Sequence, residues 1–111
     1  MENGKGADQA KPVKYRLIVR PEAESDLQQA FNWYEKQEIG LGDRLLLSVE
    51  RSIQSILRNP RMYQVIYKNV RRTLIRRFPY GVFYVLRSNS VVVLAIFHAM
   101  RDPHDWMRRL Q

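Results

Sequence analysis

Three features of this 111-residue sequence predict an α+β fold. Two segments, 23–34 and 41–57, repeat apolar residues at the spacing of one helix face. Two later segments, 81–87 and 91–98, are apolar at almost every position, the pattern of strands covered on both sides. The links between segments are short, so neighbours in sequence pack together. The expected order is β-α-α-β-β-β-α, an antiparallel-rich sheet packed on a helical hairpin.

Each element has its own local reasons. Residues 1–13 are polar and without periodicity, and are expected to form a disordered arm ahead of a single domain over 14–111. Residues 15–19, YRLIV, suit a short strand. Pro21 fits a first helical turn, and Glu22, Glu24 and Asp26 favour a helix amino terminus. Ala23, Leu27, Ala30, Phe31 and Tyr34 make the apolar stripe of that helix, which the stretch 39–42, IGLG, interrupts. Leu41, Leu45, Leu46, Val49, Ile53, Ile56 and Leu57 stripe a second helix, and Asn59-Pro60 ends it because a residue before proline is pushed from helical geometry. Residues 63–67 are compatible with a strand or a loop, and 70–78 with a strand. Ser88-Asn89-Ser90 joins the last two strands as a hairpin turn. In the last of them, alternation sets Val91, Val93, Ala95 and Phe97 against Val92, Leu94 and Ile96. Asp102-Pro103-His104-Asp105 reads as a cap and first turn, opening a short closing helix through Trp106 and Leu110.

Composition excludes several classes. The absence of cysteine removes disulfides, thiolate metal sites and cysteine nucleophiles. His98 and His104 lack a third ligand at convincing spacing, so no metal and no cofactor is expected. No apolar run reaches the roughly 18 residues of a membrane span, and cytoplasmic residence is the default. The net charge is +8 and unevenly placed. Residues 22–50 hold seven acids against two bases, whereas 51–101 hold ten bases and no acid. Such a field draws phosphates or acidic protein segments.

Taken in order, Pro21-x-Ala23 with Asp26-Leu27, Trp33-Tyr34, the Gly-Leu-Gly turn and Asn59-Pro60 resemble the RelE/ParE superfamily of type II toxin–antitoxin toxins. Arg72, Arg76-Arg77-Phe78-Pro79-Tyr80, Tyr84, residues 93–98 and Arg101-Asp102-Pro103, Trp106 and Arg109 extend the resemblance over 15–110. It implies a toxin bound by a cognate antitoxin in a hetero-oligomer. The ParE-like branch acts on DNA gyrase; the RelE-like branch cuts messenger RNA on the ribosome.

Cutting RNA through its own 2′-hydroxyl needs a proton acceptor, a proton donor and positive charge on the phosphorane. Bases are plentiful here, but 51–101 has no carboxylate and a single histidine. The nuclease set would be His98, Arg72, Arg77 and Tyr80, and the neighbourhoods 61–63 and 80–82 depart from the nuclease pattern that the resemblance supplies. The ParE-like reading therefore leads, with target or antitoxin contact expected at Arg71, Arg72, Arg76, Arg77, Arg101 and Trp106. Alternation puts Arg72 with Arg76 on one sheet face and Arg71 with Arg77 on the other, with ion pairs to Glu24 or Glu35 as the competing role. A free-standing nucleic-acid-binding module is the third reading, though no basic recognition helix is present.

Overall fold

A computed structural model describes residues 14–102 and 107–110. Strand β1 (Arg16–Val19) leads into α1 (Pro21–Gln37) and α2 (Leu41–Arg58). Strands β2 (Val65–Tyr67), β3 (Val70–Leu74), β4 (Tyr80–Arg87) and β5 (Ser90–His98) follow, then a 3-10 turn at Arg108–Leu110. The sheet order is β1-β5-β4-β3-β2, with β1 parallel to β5 and the other pairs antiparallel. The two most apolar strands are thus central, as their two-sided burial requires. Residues 65–67, compatible with either state in sequence, are an edge strand. The closing helix is seen only as the turn at Arg108–Leu110; its start, with Trp106, lies outside the described residues.

The helical hairpin covers one face of the sheet. Ala23, Ala30, Leu45, Val49 and Ile56 pack there on Val82, Tyr84, Val91, Val93 and Ile96. The opposite face buries Val70, Phe83, Val85, Val92, Leu94, Ala95 and Phe97 beneath Ile66, Tyr67, Met107 and Leu110.

Simple alternation fails in β5. Phe83 pairs with Ala95 but Tyr84 pairs with Val93, so Leu94 is an extra residue, a β-bulge. Leu94 and Ala95 both turn to the outer face, and the phase beyond them is reversed. Ile96 therefore joins Val91 and Val93 against the helices, contrary to the expected split, and His98 follows it.

The hairpin turn is tied by a side chain rather than by a cap on α2 itself. The Glu35 carboxylate accepts the backbone N–H of Gly40 at 3.0 Å and of Gly42 at 3.0 Å, satisfying donors that the start of α2 leaves free. Gly40 has φ of +91°, and a Cβ on Gly42 would stand 2.6 Å from the Phe31 ring. Glu35 is thus spent on the turn, and the ion pair to the strand arginines, the competing role for them, is not seen at Glu35 among the described residues.

Strand β3 stops at Leu74, four residues before the expected end. Ile75 N–H donates to Tyr80 O at 2.8 Å and closes a turn in which Arg77 takes a left-handed φ of +71°. The face alternation extrapolated through Arg76 and Arg77 ends with the strand.

Candidate partner-docking site

Two concavities border the tyrosine at the end of α1. The larger, about 1040 Å³, runs between α2 and the β3 side of the sheet. Its helix wall includes Leu41, Arg44, Leu47, Ser48 and Arg51; its sheet wall includes Arg72, Leu74, Arg76 and Arg77. Tyr34, Phe78 and Met62 lie at its ends and floor. Leu47 is 47% exposed, Met62 62% and Leu74 59%, so apolar surface faces water inside a rim of arginine. Beyond Val65 the edge of β3 has lost its strand partner, and one further bond, Arg72 N–H to Gln64 O at 3.3 Å, ends the pairing. Leu74, two residues on, turns its backbone polar groups to that open edge.

The four strand arginines are not equivalent. Arg71 stands across from Tyr84 and donates from Nη1 to the carbonyl oxygens of Arg61 and Tyr63, which pins the loop after α2. Tyr84 works on the same loop: its hydroxyl, fully buried, donates to Pro60 O at 2.7 Å. Burial pushes the Tyr84 hydroxyl up to about 12, against the opposing pull of Arg71. Arg72 lies on the other face, half-buried, its stem over Gly81 and Nη1 donating to Ala99 O at 3.3 Å. Arg76 and Arg77 are exposed in the turn, with no carboxylate partner among the described residues.

The smaller cleft, about 440 Å³, is lined by Trp33, Tyr34, Tyr80, His98 and Arg101, with Asp26 at its edge. Its aromatic rings touch in series: Trp33 to Tyr34 at 4.9 Å, Tyr34 to Tyr80 at 6.1 Å, Tyr80 to His98 at 5.8 Å. Trp33, beside Tyr34 but off the apolar stripe of α1, is 56% exposed. Burial, with Tyr80 adding, raises the Tyr34 hydroxyl above its ordinary range. His98 is exposed and its Nδ1 accepts the Met100 N–H at 3.3 Å. The Arg101 guanidinium lies 4.3 Å from the centre of the Phe97 ring. Of the residues a nuclease would need, His98 and Tyr80 meet here, while Arg72 and Arg77 line the larger groove.

One constellation escaped the sequence reading altogether. The Asp26 carboxylate pairs with both terminal nitrogens of Arg109, at 2.6 and 3.2 Å, and also accepts the Ile96 N–H at 3.0 Å. Arg109 also donates to Leu94 O at 3.3 Å. These bonds satisfy the backbone groups around the bulge, beyond the point where β1 ends. Two of the motif residues, Asp26 and Arg109, thus turn out to be partners. Their spacing in the chain gave no means of pairing them.

A sequence model of the family described as “ParE toxin of type II toxin-antitoxin system, parDE” matches residues 17–103. Toxin ParE2 of Mycobacterium tuberculosis, in strains CDC 1551 / Oshkosh and H37Rv, is 31% identical over 90 residues. The match covers 80% of this chain and 86% of the relative. Among solved structures, one titled “Chromosomal ParDE TA system from P. aeruginosa” aligns with a TM-score of 0.69 at 12% identity. That alignment covers 77% of this chain and 96% of the other, a likeness of fold.

Proposed function

The chain belongs to the ParE toxin family of type II toxin–antitoxin systems, and from that premise we propose that it arrests growth by binding DNA gyrase and is silenced by a cognate antitoxin. The antitoxin, in this reading, seats on the groove between α2 and β3, forming a hetero-oligomer with the single domain 14–111. One observation carries it: an open groove that exposes Leu47, Met62 and Leu74 and whose two walls present arginines without described carboxylate partners. Exposed apolar lining and basic rim together suit an acidic amphipathic segment better than either suits water. Arg76 and Arg77 make the contact, Arg72 supports it from the strand, and Arg71 acts indirectly by holding the 61–63 loop. Arg101 faces the second cleft and belongs to target contact.

A second reading rests on that cleft, where His98, Tyr80 and Arg101 come together as a messenger-RNA endonuclease on the ribosome would need. Two assays on the purified protein separate the readings. In a DNA supercoiling assay with gyrase, added toxin is expected to inhibit and added antitoxin to restore activity. In cell-free translation of one defined message, the RNA is expected to stay intact. Cuts within codons that need translating ribosomes and vanish in His98→Ala would replace the gyrase reading with the nuclease one.

A further inference from the structure

Helix α2 carries a second pattern on its outer side. Arg44, Arg51 and Arg58 stand seven residues apart, with Ser48 and Ser55 between them on the same face. The arginines are exposed and the two serines half-buried. Arg58 donates to Ser55 Oγ at 3.0 Å, whereas Arg44 and Arg51 have no carboxylate partner among the described residues. Arg44, Ser48, Arg51 and Ser55 all face the larger groove.

The spacing itself limits what can lie there. Seven residues are two helical turns, so successive arginines stand about 10.5 Å apart along the axis. A seven-residue repeat keeps in step with another helix whose charges repeat every seven residues. An extended strand presents same-side residues about 6.7 Å apart and falls out of step by the second arginine. The short serines between the arginines let a helical backbone come close, and exposed Leu47 on the same wall offers it an apolar contact. The stretch of α2 that lines the groove, from Leu41 to Ser55, gives such a helix about 21 Å to lie on.

We propose that Arg44 and Arg51 select the occupant of this groove as an amphipathic α-helix bearing carboxylates seven residues apart, aligned along α2. The inference rests on the reading that an antitoxin seats here, and it adds the conformation and charge spacing of the segment that does so. Charge pairs at such positions set partner and register.

The test uses the full chain and two labelled 18-residue helical peptides of identical composition, read by fluorescence anisotropy. One places leucine and glutamate at seven-residue spacing; the other scatters the glutamates around the helix. The spaced peptide is expected to bind at least tenfold more tightly, and Arg44→Gln/Arg51→Gln to bring it down to the scattered one. Arg87→Gln, at the far β4–β5 turn, is expected to change nothing. Equal affinity for the two peptides, or an unchanged preference in the double variant, overturns the proposal. The antitoxin provides the separating arm. If its affinity survives Arg44→Gln/Arg51→Gln but falls with Leu47→Asp/Leu74→Asp, the groove stands and the arginine ladder falls. If neither double variant weakens it, with circular dichroism showing both folded, the groove reading falls too.

Discussion

Single residues here do work that their neighbours in sequence do not disclose. Asp26 looks like an ordinary acid in the second turn of α1, yet its carboxylate serves Arg109 and the Ile96 N–H of the bulge. Asp26→Ala is expected to cost about 2–3 kcal/mol, because it strands a guanidinium and a backbone donor together. Arg109→Ala should cost less, since the Ile96 bond survives. Urea unfolding of both single variants and the double gives the comparison, and equal single costs would mean the Ile96 bond contributes nothing. Tyr84 sets a pH dependence of definite sign. Its hydroxyl titrates near 10 in the unfolded chain and is pushed to about 12 when folded, so the folded state holds its proton longer. Stability is therefore full below pH 10 and falls between 10 and 12, by on the order of 2 kcal/mol from this group. Tyr84→Phe, though less stable throughout, is expected to show a flatter decline over that window when chemical denaturation is followed against pH. The tyrosine was visible as a motif residue, but its hydrogen bond to Pro60 depends on a loop path that no local pattern encodes.

At the scale of elements, what periodicity governs was legible and what it does not govern was missed. Both helices, the central place of β4 and β5, and the hairpin at 88–90 follow from apolar spacing and turn chemistry. The early end of β3 was not legible, because Arg76, Arg77 and Phe78 are as compatible with a strand as with the turn they form. The bulge was invisible for a plainer reason: a run of valine, leucine, alanine and isoleucine is apolar in either phase, so nothing in it marks the extra residue. Its effect on the site is direct, since it brings His98 to the same side as Tyr80 and Tyr34. The groove's strand-side arginines stand out in sequence as two adjacent pairs, whereas Arg44 and Arg51 on α2 are single bases beside a strong apolar stripe, with nothing local to tie them to the groove. The αα turn gives an element-scale prediction. Glu35→Ala removes the acceptor for the Gly40 and Gly42 N–H groups and is expected to cost about 1–2 kcal/mol, as loss of a helix cap does. Thermal unfolding checks it, and Glu35→Gln, which keeps an amide oxygen, should recover part of the loss.

At the scale of the whole molecule, the proposed seating of an antitoxin in the groove makes charge the property to test. With ten bases and no acid over 51–101, antitoxin affinity is expected to fall as salt rises, and Arg76→Gln/Arg77→Gln to lower affinity about tenfold and flatten the salt dependence. Titration calorimetry at three ionic strengths measures both, and an unchanged slope would place the contact elsewhere. The sheet order has a consequence in time rather than in space. β1, the first strand, lies beside β5, the last, with Arg16 opposite Ser90 and Val19 opposite Val93. The helices that follow β1 bury their stripes on Val82, Tyr84, Val91, Val93 and Ile96, all contributed late in the chain. Contacts this remote in sequence form last and slowly. During synthesis the hairpin therefore emerges with no sheet to lie on, and the fold closes only once β5 has cleared the ribosome. A copy cut short before β5 lacks the partner of β1 and the wall of the smaller cleft that Ile96, Phe97 and His98 supply.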